Sequence, residues 1–343
     1  MCMTKTTATA DFGRERRGPR LDAEVPNGKF VAMTAPRGDT SDSYRRTVLL
    51  TELGLLLMAL IWGLNFAVLK YGTTVLEPIA YNAIRMTVGT VALITLATIM
   101  APAPSRADIR RLMLLGVLGH GVYQGLFING LAMTRAGTAA LVVAASPAVI
   151  AIVGRAFGVE RIERRAVMGI ALSFVGIAIV VLGSSRGDIA GGGQVIGDLL
   201  ILTSVVAWAF YTTFLGDYTK RIEGVHIAAW TLLGGTLPVI LVAAPALSRT
   251  DWHAITPLTW GAVTYSGVGA IGLAYLFWYR GVRVLGSTRT AMFAQLQPMI
   301  ALLAAWPLLG ERPTVWQVAG SVAVMGGLLL TRTATSAEPA HGE

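Results

Sequence analysis

The strongest constraint on this chain is an internal duplication of an apolar segment. Eight residues of the first half recur 151 positions later, with no gap between them. The pairs are Gly116 and Gly267, Gly121 and Gly272, Gly130 and Gly281, Pro147 and Pro298, Glu160 and Glu311, Arg161 and Arg312, Gly169 and Gly320, and Gly176 and Gly327. A repeated apolar unit predicts a membrane protein that is built from two like halves.

The composition also favours the bilayer as the solvent of this chain. Of its 343 residues, 54% are hydrophobic and 14% are charged, whereas soluble domains carry about 25% charged residues. Ten apolar runs approach the roughly 20 residues that a helix needs to span the hydrocarbon core. They lie near residues 48–70, 78–100, 111–132, 137–157, 166–184, 198–217, 225–246, 258–279, 287–309 and 314–331. Because lipid offers the backbone no hydrogen bonds, the prediction is an all-α fold of ten transmembrane helices.

The distribution of Lys and Arg predicts the orientation. With a cytoplasmic N-terminus and ten crossings, 22 of these residues lie inside and 5 lie outside. Arg85 is the remaining one and falls within the second helix. The positive-inside rule then places both termini in the cytoplasm (N-in/C-in). The net charge of +9 is explained by this topology, so no nucleic-acid partner is predicted.

The same pattern divides the chain into five regions. Residues 1–46 are polar and are predicted to be a disordered cytoplasmic tail, within which Met33 is a second candidate start. The first repeat covers residues 47–184, a Gly-rich linker covers 185–197, and the second repeat covers 198–332. Residues 333–343 form a short cytoplasmic tail.

The five helices of each repeat imply that the halves are inverted. An odd number of crossings makes the second half enter the membrane in the opposite orientation, which predicts a pseudo-two-fold axis in the membrane plane. The first helices of the halves align at an offset of 146, with Trp62 opposite Trp208. Glu160 and Glu311 each precede the next helix, where a carboxylate favours the helix dipole. They are interpreted as capping and turn residues, with a role in gating as the alternative.

Several motifs resemble a known transporter family. They are Trp62-Gly63-Leu64-Asn65-Phe66, Arg85, Tyr275-x2-Trp278, Pro298, Glu311, Gly320 and Gly327. Because these motifs occur in this order over residues 48–331, the chain resembles the EamA branch of the drug/metabolite transporter (DMT) superfamily. The resemblance implies a multi-pass permease of the cytoplasmic (inner) membrane, with a central cavity lined by helices 1, 3, 4, 6, 8 and 9. It also implies transport of small metabolites, often the export of amino acids or their derivatives.

Polar and aromatic residues inside the helices are the candidate substrate-binding residues, because polar groups are costly in a membrane. His120, Tyr123 and Gln124 share one face of the third helix. Trp62 and Asn65 on the first helix have the same spacing as Trp208 and Tyr211 on the sixth. Ser146 immediately precedes Pro147, and Gln295 lies about one helical turn before Pro298. Interhelical hydrogen bonding and packing are the alternative interpretations of these residues.

A second set of residues is predicted to bend or gate the helices. Pro147 and Pro298 free backbone carbonyls in the fourth and ninth helices, and Arg85 is expected to meet carbonyls, a substrate anion or, by snorkelling, the interface. Tyr275 and Trp278 are interpreted as interfacial anchors. The spacing of Gly121 and Gly125, like that of the glycines of helices 5 and 10, is typical of close helix packing.

These features predict a secondary transporter that works by alternating access. A small-molecule substrate and the lipid bilayer are its predicted partners, with a coupling proton at His120. A membrane-embedded enzyme or a non-transporting membrane scaffold is the alternative. The sequence has no His-Glu-x2-His motif, and its four His residues lie on separate segments. No catalytic residue, metal or cofactor is therefore predicted.

Overall fold

The computed structural model describes residues 39–158, 164–184, 193–285, 290 and 293–335. The chain divides into two units, Met1–Ser43 and Tyr44–Glu343. Only the beginning of the first helix is described in the first unit. All that follows concerns the second unit, in which every regular element of the described ranges is helical.

Ten helices follow one another along the described chain. They are α1 (Asp39–Val75), α2 (Pro78–Met100), α3 (Arg106–Met133), α4 (Ala136–Ala156), α5 (Arg164–Ser184), α6 (Gly193–Thr219), α7 (Gly224–Arg249), α8 (Pro257–Leu285), α9 (Gln297–Leu309) and α10 (Val315–Thr335). Seven helices among the described residues are long and apolar enough to cross a membrane. In α5, α9 and α10 the apolar segments are shorter: Val167–Gly183, Gln297–Leu309 and Val315–Gly327. A multi-pass helical membrane protein follows, and ten crossings remain a prediction.

Several helix ends differ from those predicted. The first helix begins at Asp39, within the predicted tail, and α6 begins at Gly193, within the predicted linker. The last helix continues to Thr335. Residues 1–38 and 185–192 lie outside the described residues. Hydropathy marks where a helix becomes apolar, whereas its first turns extend into polar sequence.

Reciprocal contacts relate the two halves by an approximate two-fold rotation. Each contact has a counterpart in which both residues are exchanged for their repeat equivalents. The contact of Gly130 with Ile201 corresponds to that of Gly281 with Leu55. The contact of Gly176 with Gly320 corresponds to that of Gly327 with Gly169, and the contact of Gly116 with Thr231 corresponds to that of Gly267 with Arg85. The hydroxyls of Thr90 and Thr236, equivalent at the offset of 146, hydrogen-bond to each other over 2.8 Å. The duplication in sequence is therefore also a duplication in packing.

Glycines set the distance between the helices at these contacts. A methyl group at Gly116 would lie 1.9 Å from the Thr231 carbonyl oxygen of α7, and one at Gly320 would lie 2.2 Å from Val180 of α5. Close packing of α5 against α10 is thus confirmed. The predicted packing role of Gly125 is wrong, because a methyl group there would meet nothing within 4 Å.

The two proline positions coincide with helix interruptions. At Ala145 the backbone of α4 leaves helical geometry (φ −80°, ψ 0°), and Pro147 stands in the first turn of the segment that follows. The described part of α9 likewise has Pro298 in its first turn. Proline fits there because the first turn lacks a partner for its N–H.

We expect Gly116→Ala to lower the free energy of unfolding by about 1–3 kcal/mol, because the added methyl group forces α3 away from α7. Thermal unfolding of the purified protein in detergent measures this. Gly125→Ala on the same helix is the matched control and should be neutral or slightly stabilising. Equal losses in both variants would contradict the contact at Gly116.

Candidate functional site

Aromatic side chains from both halves meet between the helices. This aromatic cluster consists of Trp62 (α1), His120 and Tyr123 (α3), Trp208 and Tyr211 (α6) and Tyr275 (α8). Neighbouring ring centroids in the cluster lie 5.0 to 6.5 Å apart, within the range of favourable aromatic contacts. Five of the sequence-predicted residues of α1, α3 and α6 are thus brought together: Trp62, His120, Tyr123, Trp208 and Tyr211.

His120 lies at the centre of the aromatic cluster. Its ring is 5.4 Å from Tyr211, 6.0 Å from Trp208 and 6.5 Å from Tyr275. It is 3% exposed, and its Nδ1 has no hydrogen-bond partner among the described residues. The residue belongs to a wide π-helical turn, Val117–Val122, of a kind that is frequent at functional sites. A second wide turn, Tyr265–Leu273, occupies the corresponding part of α8.

Tyr275 belongs to this cluster, contrary to the interfacial interpretation. Its ring stands edge-on to Trp62 at 5.5 Å, and Trp62 also contacts Trp278 at 5.9 Å. The Trp62 indole N–H donates to the Ala270 carbonyl over 2.8 Å. Because α8 continues to Leu285, Tyr275 lies well inside the helix. Its spacing to Trp278 matches the Trp-x2 pattern of α1 and α6, and that was the signal for it in the sequence.

Arg85 joins α2 to α3 beside the cluster. Its side chain is 1% exposed, which is against the snorkelling alternative among the three that the sequence left open. The guanidinium donates from Nε to Asn82 Oδ1 over 3.0 Å and from Nη2 to Gln124 Oε1 over 2.5 Å. Asn82 was missed by the sequence analysis, although its position three residues before Arg85 on one helix was a signal.

The remaining candidate binding residues are not drawn into this arrangement by the described hydrogen bonds. The Ser146 hydroxyl donates to the Val143 carbonyl of its own helix over 2.5 Å. Asn65 Oδ1 and Gln295 Oε1 are buried, with no hydrogen-bond partner in the described part of the chain. Their predicted roles stay predictions.

Glu311 caps a helix, but not the one that follows it in sequence. Its carboxylate accepts from the backbone N–H of Ala136 over 3.0 Å, at the start of α4, and lies 4.0 Å from Arg135 Nε. Arg135 Nη2 in turn donates to the Arg312 carbonyl. Burial raises the pKa of Glu311, whereas Arg135, Lys70 and the backbone N–H oppose this shift. Glu160 lies outside the described residues.

The opposite end of α3 carries another contact between the halves. Asp108 in its first turn accepts two hydrogen bonds from the Arg221 guanidinium, over 2.7 and 2.8 Å. Glu223 beside it pairs with Arg283 of α8. The halves are therefore fastened to each other by charged groups at both ends of α3, which are roughly 40 Å apart at 1.5 Å per residue.

The comparison with known proteins decides the family. The profile of the EamA-like transporter family matches residues 49–182 and again residues 195–333. This chain belongs to the EamA-like transporter family.

Several relatives named as transporters or as an efflux pump match most of the chain. The uncharacterized transporter YyaM of Bacillus subtilis is 26% identical over 271 residues, which cover 78% of this chain and 88% of YyaM. A protein of Salmonella typhimurium, described as a probable amino-acid metabolite efflux pump, is 27% identical over 284 residues, 80% of this chain and 92% of that protein. One solved crystal structure is 20% identical with a TM-score of 0.58, and the alignment covers 84% of this chain and 99% of that chain, so the two proteins share a fold.

We expect Gln124→Leu to lower the free energy of unfolding of this EamA protein by about 2 kcal/mol, because the buried Arg85 loses an acceptor. Thermal unfolding in detergent is the measurement. Gln295→Leu is the matched control, since its carboxamide oxygen accepts no described hydrogen bond. If both substitutions lower the free energy of unfolding equally, the hydrogen bond from Arg85 to Gln124 makes no specific contribution to stability.

Proposed function

We propose that this protein is a secondary transporter that exports amino acids or related small metabolites by alternating access. The aromatic cluster carries the proposal, because α1 and α3 of the first repeat and α6 and α8 of the second contribute side chains to it. Substrate sites of transporters built from inverted repeats lie at the interface of the repeats, near the middle of the membrane. On this proposal, the ten helices cross the cytoplasmic membrane with both termini inside.

The chemistry of the cluster suits a small organic substrate. Ring faces supply apolar contact and attract cations, while His120 and Gln124 supply polar groups that fix orientation. Among the described residues, no three His, Cys, Asp or Glu side chains are placed to hold a metal. His120 is the proposed site of a coupling proton, because imidazole titrates near neutral pH. The name of the Salmonella typhimurium relative, a probable amino-acid metabolite efflux pump, supports the substrate class.

Export is tested by untargeted mass spectrometry of spent medium. Cells expressing the protein are compared with cells expressing the His120→Ala, Trp62→Ala double variant at matched levels. We expect a metabolite enriched by the wild type and about tenfold less by the variant, because two contacts of the site are lost. Equal enrichment by both proteins would support transport but contradict the assignment of the aromatic cluster as the substrate site. No enrichment, together with no substrate-dependent flux in liposomes, would contradict transport.

Alternating access requires that the contacts at the two ends of α3 open in turn. The Arg135–Glu311 contact would close the outer end and the Asp108–Arg221 contact the inner end. Both join one repeat to the other, so neither persists when the repeats separate at that end. Weakening one contact should therefore favour the state that is open on that side.

This consequence is measurable by labelling one engineered cysteine. Gly125→Cys places a thiol beside Gln124, where a side chain meets nothing within 4 Å, in a Cys2→Ser background that removes the single native cysteine. We expect Glu311→Gln to speed labelling from outside and Asp108→Asn to speed labelling from inside. Lys220→Gln, which breaks an exposed pair within one segment, is the control. Shifts in the same direction for both variants would contradict alternating access.

A further inference from the structure

The buried guanidinium of Arg85 has only neutral partners. Its two described hydrogen bonds go to the side-chain carboxamides of Asn82 and Gln124. A guanidinium has five N–H donors, so most of its N–H groups donate no described hydrogen bond. None of the ion pairs in the described part of the chain involves Arg85. The ion pairs found there join other residues: Glu77 with Arg249, Asp108 with Arg221, Asp217 with Lys220, Glu223 with Arg283 and Glu311 with Arg135.

Packing does not explain why an arginine stands at this position. The equivalent residue of the second repeat, at the offset of 146, is Thr231. The backbone carbonyls of Arg85 and Thr231 make equivalent contacts, with Gly267 and Gly116 respectively. The second repeat thus keeps the same helix contact with a small neutral side chain, whose hydroxyl bonds to the Ile227 carbonyl of its own helix. The helix contact therefore does not require the charge of Arg85.

An unpaired buried charge is costly, and such residues in membrane helices mark substrate or ion pathways. Arg85 is bound to Gln124, which follows Tyr123 in sequence and lies one turn beyond His120. Its charge therefore adjoins the aromatic cluster. A ligand that carries an anionic group and an apolar ring would meet the guanidinium at one end and the rings at the other.

We infer that Arg85 binds the carboxylate of the transported substrate, while the aromatic cluster holds its apolar body. This inference rests on the proposed function and names its substrate class: organic carboxylates with a hydrophobic side chain. Guanidinium and carboxylate match in geometry and form charge-assisted pairs. Among the described residues, no hydrogen bond or ion pair brings a carboxylate to Arg85 or Gln124, so no acid there is placed to bind an α-amino group of the ligand. Hydrophobic carboxylates that lack an amino group are therefore accepted as well as amino acids.

The test compares three probes of one shape on the purified full-length protein. They are L-phenylalanine, 3-phenylpropanoate and 3-phenylpropanamide, titrated by intrinsic fluorescence and by thermal shift in detergent. We expect both acids to bind about tenfold or more tightly than the amide, because the amide leaves the buried charge uncompensated. An amide that binds as tightly as its acid to the wild type overturns the inference.

Variants separate binding from folding. Arg85→Gln should abolish the preference for acids, and Arg85→Lys should keep the preference with weaker binding. Arg249→Gln, at an exposed pair with Glu77, is the matched control and should bind as the wild type does. Gln124→Glu supplies an internal carboxylate to Arg85, so it should raise the unfolding temperature and yet weaken the binding of acids. A purely structural Arg85 would give higher stability with unchanged binding, which contradicts the inference.

The outcomes also distinguish this inference from the proposed function. If a metabolite is exported in the spent-medium experiment but the titration shows no preference for acids, transport is supported and the proposed role of Arg85 is contradicted. Binding of the acids that depends on Arg85, with no flux of any bound acid in liposomes, keeps the site and overturns transport. If neither binding of the acids nor flux is observed, both the inference about Arg85 and the proposed transport are contradicted.

Discussion

Close contact between helix backbones at paired glycines is the constraint on which the rest of this structure depends. In a bilayer, apolar side chains gain little by leaving lipid, so helices associate through small residues and interhelical hydrogen bonds. Gly116 brings α3 onto α7 at Thr231, and Gly267 brings α8 onto α2 at Arg85. His120 stands one turn beyond Gly116. The glycines that hold the halves together therefore also set where the polar groups of the site lie.

The two-fold relation is kept in the packing and broken in the chemistry. Equivalent glycines make equivalent contacts in both halves, yet the polar residues near them differ. The unlike pairs are Arg85 and Thr231, Asn65 and Tyr211, His120 and Ile271, and Gln124 and Tyr275. Because a site shared by two halves needs only one set of polar groups, the two repeats can carry the cation, the imidazole and the rings at different positions. An asymmetric ligand, with one charged and one apolar end, fits such a site better than a symmetric one.

The sequence was most informative about periodic features and least about long-range contacts. The duplication predicted the two halves, and the i, i+3 spacing of Trp208 and Tyr211 predicted side chains that do meet. The hydrogen bond of Arg85 to Gln124 joins residues 39 positions apart, and the capping of α4 by Glu311 spans 175 positions. Neither leaves a periodic signal. Tyr275 was assigned to the interface because hydropathy ended the eighth helix near residue 279, whereas α8 continues to Leu285 and the Tyr275 ring contacts Trp62 and His120.

On the proposed function, the charged contacts at the two ends of α3 open and close in turn. Ion pairs near the surface are weak and are screened by salt, and the Arg221 side chain at the Asp108 contact is 47% exposed. The side chains of Arg135 and Glu311 are only 25% and 16% exposed, so their contact is the less screened of the two. The contacts also differ in kind. Asp108 meets Arg221 side chain to side chain, whereas Glu311 binds the backbone of α4 and Arg135 binds the backbone at Arg312. Backbone groups exposed when the Glu311 contact opens must find water, which favours opening at a membrane surface. A ligand that binds one open state more tightly then shifts the population between them by its differential affinity alone.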